Sequence, residues 1–398
     1  MEIKQGFKFR LKPKYQQVAK MRQFAGCCRL VWNKALEKET YEETGKRLGY
    51  NKLAGLLVEW KKEHGTAFLK EAHSQILQQT LRNLDKAYLN FFEKRAELPK
   101  FKKKGLNDSF SYPQGFKIDE NNSRIYFPKI GWIRYVKHRR ISGISKNITV
   151  SQSCGKWYVS IQTERIIAEP VHSSQSEIGM DLGVAHFVSF SDGSWLDPLN
   201  VFKKYSGKLA RLQRLLAKKV KFSSNWKKLK FRIQKLHKKI TDIRHDFLHK
   251  ATSAISKNHA MVVVEDLQVK NMSASASGTL KKPGRNVKSK SGLNKLILDQ
   301  GWGEFARQLE YKLRWLGGCL IRIAAQYTSQ KCSQCGYICQ DNRKTQAKFK
   351  CMVCGFEANA DHNAALNILA AGHAVLACGA ERAQASALKQ EPACDAAL

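Results

Sequence analysis

Two cysteine pairs constrain this chain more than any other feature. Cys332-Ser333-Gln334-Cys335-Gly336 is followed, after fifteen intervening residues, by Cys351-Met352-Val353-Cys354-Gly355. Each C-x2-C turn lets two sulfurs point to one side, as a tetrahedral ion needs, and the gap falls in the range of zinc ribbons. With all four positions filled, the pattern predicts a closed structural Zn²⁺ site on Cys332, Cys335, Cys351 and Cys354. Cys339 lies inside the ribbon and is left out of the set. The other cysteines, Cys27, Cys28, Cys154, Cys319, Cys378 and Cys394, read as buried or inert thiols of a reducing compartment.

Seven residues after Cys354 comes Asp361, which opens an apolar helix over 361–372. Two further acids end apolar strands: Asp181 in Ile178-Gly179-Met180-Asp181-Leu182-Gly183 and Glu265 in Met261-Val262-Val263-Val264-Glu265. Taken singly, each reads equally well as structural or catalytic. Three that converge would bind hard divalent cations through oxygen, Mg²⁺ or Mn²⁺. Two such ions can clamp the attacking and leaving oxygens of a phosphodiester. Asp266 should face away from Glu265, Asp192 belongs to a hairpin turn, and His186 and His362 read as hydrogen-bonded neighbours.

Charge points the same way. The 398 residues carry 70 Lys and Arg against 33 Asp and Glu, a net of +37, which implies a polyanionic partner. Nucleic acid fits best, because each neutralised phosphate releases counterions. A membrane fits poorly: no apolar run reaches ~18 residues, and Met1-Glu2-Ile3-Lys4 begins no signal peptide.

Periodicity divides the chain. Phe7, Phe9 and Leu11 alternate with Lys8, Arg10 and Lys12 in a strand over 6–12. Helical stripes follow over 15–39 (Val18, Met21, Phe24, Cys28, Val31) and 73–94 (Leu77, Leu81, Leu84, Tyr88, Phe91). The basic run 98–105 is either a solvated loop or a phosphate-contacting one. Short strands are expected at Ser109–Tyr112, Arg124–Phe127, Trp132–Val136, Ile148–Ser151 and Trp157–Thr163, a small barrel or sandwich that the first strand joins. The helices before it are then an insertion. After a linker at 166–177, Val184–Phe190 should form a second strand beside Asp181. Residues 203–257 read as a basic helical hairpin turning at Phe222–Asn225, with Lys and Arg turned toward nucleic-acid backbone. Residues 270–292 read as a mobile basic loop, followed by one helix over 293–317 and a strand near 319–326. The tail from about 375 to 398 should be poorly ordered.

The three acid motifs, with Glu265-Asp266-Leu267 before Lys270-Asn271-Met272 and Asp361-His362-Asn363-Ala364-Ala365, resemble those of a RuvC-like, RNase H-fold nuclease. The ribbon opened by Tyr327-Thr328-Ser329-Gln330 narrows the match, as do Gly301-Trp302-Gly303-Glu304-Phe305 and Leu309-Glu310-Tyr311-Lys312. Phe7-Lys8-Phe9-Arg10-Leu11, Gly26-Cys27-Cys28-Arg29, Tyr88-Leu89-Asn90-Phe91-Phe92 and Pro99-Lys100-Phe101-Lys102 also fit. Over roughly residues 1–372 the chain is similar to the TnpB (OrfB-type) proteins of bacterial and archaeal insertion sequences.

The resemblance implies an RNA-guided DNA endonuclease of prokaryotic cytoplasm, associated with the nucleoid. A guide RNA from the transposon end would pair with target double-stranded DNA next to a short transposon-adjacent motif. The fold class implied is multidomain, α/β and α+β. It comprises an N-terminal β-barrel (wedge, 1–14 and 109–170) with an inserted helical recognition lobe (15–108). An RNase H-like RuvC nuclease domain (171–326 and 357–374) follows, with an inserted zinc ribbon (327–356). Asp181, Glu265 and Asp361 map onto the family's Mg²⁺-binding catalytic acids, and the four cysteines onto its zinc ribbon. The rival readings are a strand-transfer transposase with the same acids and a guided repressor without catalysis.

Overall fold

The computed structural model describes residues 1–41, 48–106, 108–345 and 347–377. The chain divides into two compact units, Met1–Ala168 and Glu169 onward. Among the described residues no helix is long and apolar enough to cross a membrane.

In the first unit, β1 (Glu2–Lys12) starts four residues earlier than its alternation suggests, because it pairs along β7 from Glu2 to Arg10. Helix α1 (Tyr15–Tyr41), α2 (Gly49–Lys62), a 3₁₀ turn (His64–Glu71) and α3 (Ser74–Phe92) follow. Helix α2 is absent from the sequence expectations because Gly49 and Gly55 lower its helix propensity; it forms by burying Leu53, Leu57 and Trp60. Then come β2 (Ser109–Tyr112), β3 (Lys117–Asp119), β4 (Arg124–Phe127), β5 (Gly131–Val136), β6 (Ile144–Ser153) and β7 (Lys156–Ile166). The seven strands form one antiparallel sheet in the order β2-β6-β7-β1-β5-β4-β3. Hydrogen bonding leaves β2 and β3 as its ends. The sheet nevertheless curls: the Tyr112 hydroxyl of β2 donates to Pro128 O at 2.9 Å, and its ring meets Phe127 of β4. Phe7, Phe9 and Leu11 share one core with Met21, Phe24 and Val31 of α1 and Leu77, Leu81 and Leu84 of α3.

The basic run 98–105 is pinned to α1. Trp32 Nε1 donates to Lys100 O, and Asn33 exchanges hydrogen bonds with both backbone groups of Lys102. Lys102 folds back over the Trp32 ring, and burial lowers its pKa. Lys100, Lys103 and Lys104 remain exposed.

The second unit holds a five-stranded sheet in the order β10-β9-β8-β11-β12. These are β8 (Glu177–Asp181), β9 (Val188–Phe190), β10 (Trp195–Leu196), β11 (Met261–Glu265) and β12 (Cys319–Ile323). Strands β8, β11 and β12 run parallel, while β9 and β10 are antiparallel additions. The strand expected over Val184–Phe190 shrinks to β9, because residues 184–187 bend as Phe187 N meets Leu196 O.

Between β10 and β11 lie α4 (Val201–Ala217) and α5 (Ser224–Asn258). Their turn is at 218–223, slightly earlier than expected, because Ser223 caps α5 by accepting from Trp226 N. Leu209, Leu236 and Ile240 zip the hairpin; lower on α5, Leu248 and Ile255 join the sheet core instead. Asp299, nearly fully buried, accepts from Phe202 N at the start of α4 and pairs with Arg244.

The expected helix 293–317 is two helices. Gly301, at φ +76°, separates α7 (Val287–Gln300) from α8 (Trp302–Leu316). The expected loop 270–292 contains α6 (Val269–Met272), a tight turn and the first residues of α7. The strand near 319–326 stops at Ile323. After the β13 (Lys348–Lys350) and β14 (Glu357–Asn359) hairpin, α9 (Ala360–Ala377) outlasts its expected end at 372. Of the tail expected to be poorly ordered, 375–377 are helical and 378–398 lie outside the described residues.

Helix α9 crosses β8 and β11 at very short range. A Cβ on Gly179 would stand 2.3 Å from Ala365 O, and one on Gly372 2.4 Å from a Val263 methyl. Gly179→Ala should therefore cost about 1–3 kcal/mol through overpacking and lift α9 from the sheet. Urea unfolding checks it: a midpoint equal to that of the unaltered chain would contradict the close approach.

Candidate functional site

The cysteine pairs form matched turns. In the first, Gly336 N donates to Cys332 O and Cys332 N to Tyr337 O; in the second, Gly355 N donates to Cys351 O and Cys351 N to Phe356 O. The two turns face each other, with Cys332 and Cys354 sulfurs 3.6 Å apart and Cys335 and Cys351 sulfurs also 3.6 Å apart. All four Sγ atoms lie within 4.8 Å of one another. Four thiolates at ~2.3 Å from a tetrahedral ion would stand ~3.8 Å apart, so the cluster has the size such an ion requires. Backbone N–H groups, that of Cys354 foremost, hold the Cys351 thiol down to about 6. Cys339 stays outside the set, ahead of a 3₁₀ turn at Gln340–Asn342.

The same topology draws the acids together. The parallel register of β8 and β11 runs to Met180 opposite Val264, so Asp181 and Glu265 leave the sheet side by side. Asp361 enters from the first turn of α9, which packs on both strands. Asp181 is pushed up to about 7, mainly by burial and then by the charges of Glu265 and Asp361. Burial also raises Glu265, against a hydrogen bond from Thr328 and the charge of Arg343. Among the described residues, the three carboxylates do not all come within 4.8 Å of one another, as the sulfurs do. A protein cation stands among them: Arg343 Nη2 lies 3.0 Å from Asp361 Oδ1.

Sequence reasoning missed the residues that join cluster and acids. The Thr328 hydroxyl donates to Glu265 Oε1 at 2.6 Å. Thr328 and Arg343 both come from the cysteine-bearing segment, so it supplies a partner to two of the three acids. Two buried asparagines rivet that segment to α9. Asn363 Nδ2 donates to Lys331 O and Asn363 Oδ1 accepts from Ser333 N; Asn367 Nδ2 donates to both Thr328 O and Lys331 O. Asn342 bridges the two cysteine turns, donating to Gln330 O and accepting from Met352 N. Asn363 and Asn367 had a visible signal: two amides four residues apart on the buried stripe of an apolar helix. Among the neighbours, His362 is hydrogen-bonded, whereas the buried His186 Nδ1 makes no hydrogen bond. Asp192 accepts from Ser194 N in its turn, Asp266 pairs with Arg322 at 3.9 Å, His362 Nε2 meets Ser191 O, and His186 lies beside Asp197.

Comparison with known proteins identifies the family. Residues 143–276 match the OrfB_IS605 family, described as "Probable transposase". Over 394 residues, 98% of this chain and 98% of the relative, it is 56% identical to "Putative RNA-guided DNA endonuclease InsQ" of Escherichia coli (strain K12). The chain belongs to the TnpB (OrfB-type) family of insertion-sequence proteins. This TnpB chain is also 34% identical to a "Putative RNA-guided DNA endonuclease" of Streptomyces pristinaespiralis, over 98% of this chain and 97% of the relative. Residues 302–368 match the "Cas12f1-like, TNB domain", the stretch that contains Thr328, Arg343, Asp361 and all four cysteines. Residues 1–46 match a "Helix-turn-helix domain", although over 1–41 the TnpB chain forms β1 and the single long helix α1. Its fold is similar to that of a solved Cas12f1–sgRNA–target DNA complex, with a TM-score of 0.58 at 14% identity, covering 92% of this chain and 98% of that one.

The crowding of acids sets a pH dependence. Asp181 binds its proton more tightly in the folded chain (about 7) than in the unfolded one (~3.9). Metal-free protein should therefore lose stability as pH rises through that window, by about 2–4 kcal/mol. Asp181→Asn removes the charge. Its melting temperature should exceed that of the unaltered chain at pH 8 and match it near pH 4. Equal melting curves at pH 8 would contradict the buried, mutually repelling acids.

Proposed function

We propose that this chain is an RNA-guided DNA endonuclease, cutting target double-stranded DNA next to a short transposon-adjacent motif by hydrolysis with two divalent cations. One observation carries the reading: three acids gather at one end of a sheet, in a chain of net charge +37 that is 56% identical to an InsQ protein over nearly its whole length. The strand order β10-β9-β8-β11-β12, with acids at the ends of its first and fourth strands in chain order and a closing helix bearing the third, supports an RNase H-like, RuvC-type domain.

Asp181, Glu265 and Asp361 are the residues to hold Mg²⁺ or Mn²⁺. Bound there, divalent cations supply the Lewis acidity that makes a water nucleophilic and neutralises charge on the leaving oxygen. The chain's own residues prepare the site. Burial of Asp181 makes it give up a proton on loading, so affinity should rise with pH up to about 7. Thr328 fixes one Glu265 oxygen by hydrogen bonding and leaves the other for coordination. Arg343 balances the charge of Asp361. Cys332, Cys335, Cys351 and Cys354 hold zinc without an open position, and so keep shape.

In this reading, residues 1–14 and 109–170 form the wedge, with the curled sheet as its barrel. Residues 15–108 form the recognition lobe, 171–326 and 357–374 the nuclease, and 327–356 the ribbon. The guide RNA comes from the transposon end, and base pairing reads the target while the protein reads the adjacent motif.

The test is reconstitution with the transposon-end RNA and a plasmid library in Mg²⁺. Breaks should require both RNA and Mg²⁺. Asp181→Ala, Glu265→Ala and Asp361→Ala should each cut at least ~10³-fold more slowly while guided binding survives. Undiminished cutting by Asp181→Ala, or cutting without RNA, contradicts the proposal. Strand-transfer products in place of breaks would favour a transposase, and tight guided binding without breaks a repressor.

Zinc is checked separately. Cys351→Ser should lose its zinc by elemental analysis and lower the melting temperature. Unchanged zinc content would remove Cys351 from the ligand set.

A further inference from the structure

The segment between α6 and α7 is more ordered in its bonding than its Ser, Gly and Lys content suggests. Ser277–Gly284 closes as a tight hairpin: Gly278 and Pro283 form a bridge, Thr279 N donates to Lys282 O, and Gly284 N donates to Ser277 O. A Cβ on Gly284 would fall 1.6 Å from Ala276 O, so this path tolerates no side chain there. Helix α7 holds the stem. Lys290 Nζ donates to Met272 O, and Asn294 Nδ2 to Ser273 O and Ala274 O.

At the tip stands Leu280, with 106% relative exposure, followed by Lys281 and Lys282. A fully bare leucine on a braced turn is a poor choice for mere solubility. From residue 267 to 298 the chain has seven Lys and Arg and no acid. The stem also leaves the sheet at its acid end. Glu265 terminates β11, and four residues later begins α6, whose Val269 and Met272 pack on the core shared with Met180 and Leu182.

We propose that the Ser277–Gly284 hairpin is a DNA-intercalating tip. Leu280 inserts against the bases of the target duplex, and Lys281 and Lys282 grip the flanking phosphates. Apolar side chains pushed between base steps unstack them, and lysines on phosphates hold position without reading sequence. The unstacked strand is then free to be led to Asp181, Glu265 and Asp361. This rests on the DNA endonuclease reading above and names the surface by which that site obtains its strand.

The test uses the full chain with its RNA and target DNA carrying 2-aminopurine, a base that brightens when unstacked, at successive positions around the cut. Asp181→Asn keeps the DNA whole. Outside the stretch opened by guide pairing, fluorescence should rise at one or two adjacent positions. Leu280→Ala and Gly284→Ala should each remove about half of that rise or more, and Leu280→Phe should retain it. Leu280 is fully exposed, so Leu280→Ala leaves the fold intact. An equal rise with Leu280→Ala overturns the proposal, as does no rise at any position outside the guide-paired stretch. Cleavage by the chain with Asp181 intact, measured in parallel, reports on the endonuclease reading separately. A chain that unstacks DNA through Leu280 but never cuts sinks that reading and spares this one.

Discussion

The second unit depends on how closely helix α9 lies on its sheet. Along that contact, Gly179 and Gly372 meet their neighbours with no room for a Cβ. Because the helix sits so low, its first turn reaches the ends of β8 and β11, and Asp361 joins Asp181 and Glu265. The same descent turns Asn363 and Asn367 toward the cysteine-bearing segment, where their amides satisfy backbone groups of Lys331, Ser333 and Thr328. Buried amides without partners are costly. The two asparagines therefore fix the segment's position on the helix as firmly as the sulfurs fix its internal shape.

Electrostatics explains why the acid site needs that support. Three carboxylates crowd this end of the sheet: Asp181 feels the charges of the other two, and burial penalises the charges of Asp181 and Glu265. The conflict is relieved in three ways: a high proton affinity at Asp181, a hydroxyl donor at Glu265 and a guanidinium at Asp361. All three reliefs concern the groups proposed to take up divalent cations. A site so arranged is less stable empty than its fold alone would make it, and binding of cations would recover the difference.

Much of this was legible in the sequence. The alternation of Phe7, Phe9 and Leu11, the stripes of α1 and α3, and the apolar runs ending on Asp181 and Glu265 all became the elements their periods imply. The cysteine spacing became a four-sulfur cluster. What stayed hidden depended on partners distant in sequence. Helix α2 forms despite its glycines because Leu53, Leu57 and Trp60 find a core. The break at Gly301 was masked by an apolar period that continues across it. The curl of the first sheet shows only where Tyr112 reaches Phe127 and Pro128. Arg343 and Thr328 look like ordinary ribbon residues until the fold sets them against acids 18 and 63 positions away.

That last arrangement ties the two proposed metal sites together. Thr328 precedes the first cysteine turn by four residues, and Arg343 lies between the two turns. Asn342, beside Arg343, bridges both turns, so it holds its place only while they face each other. If the sulfurs part, Asn342 loses one side of its bridge, and Arg343 is no longer aimed at Asp361. The acids would then face one another with one counter-charge fewer. Whatever stabilises the sulfur cluster therefore also stabilises the carboxylate arrangement, by mass action through shared residues rather than by direct contact between ions. In a domain whose acids repel, placing the four-sulfur element beside them is a physical means of holding three like charges in register.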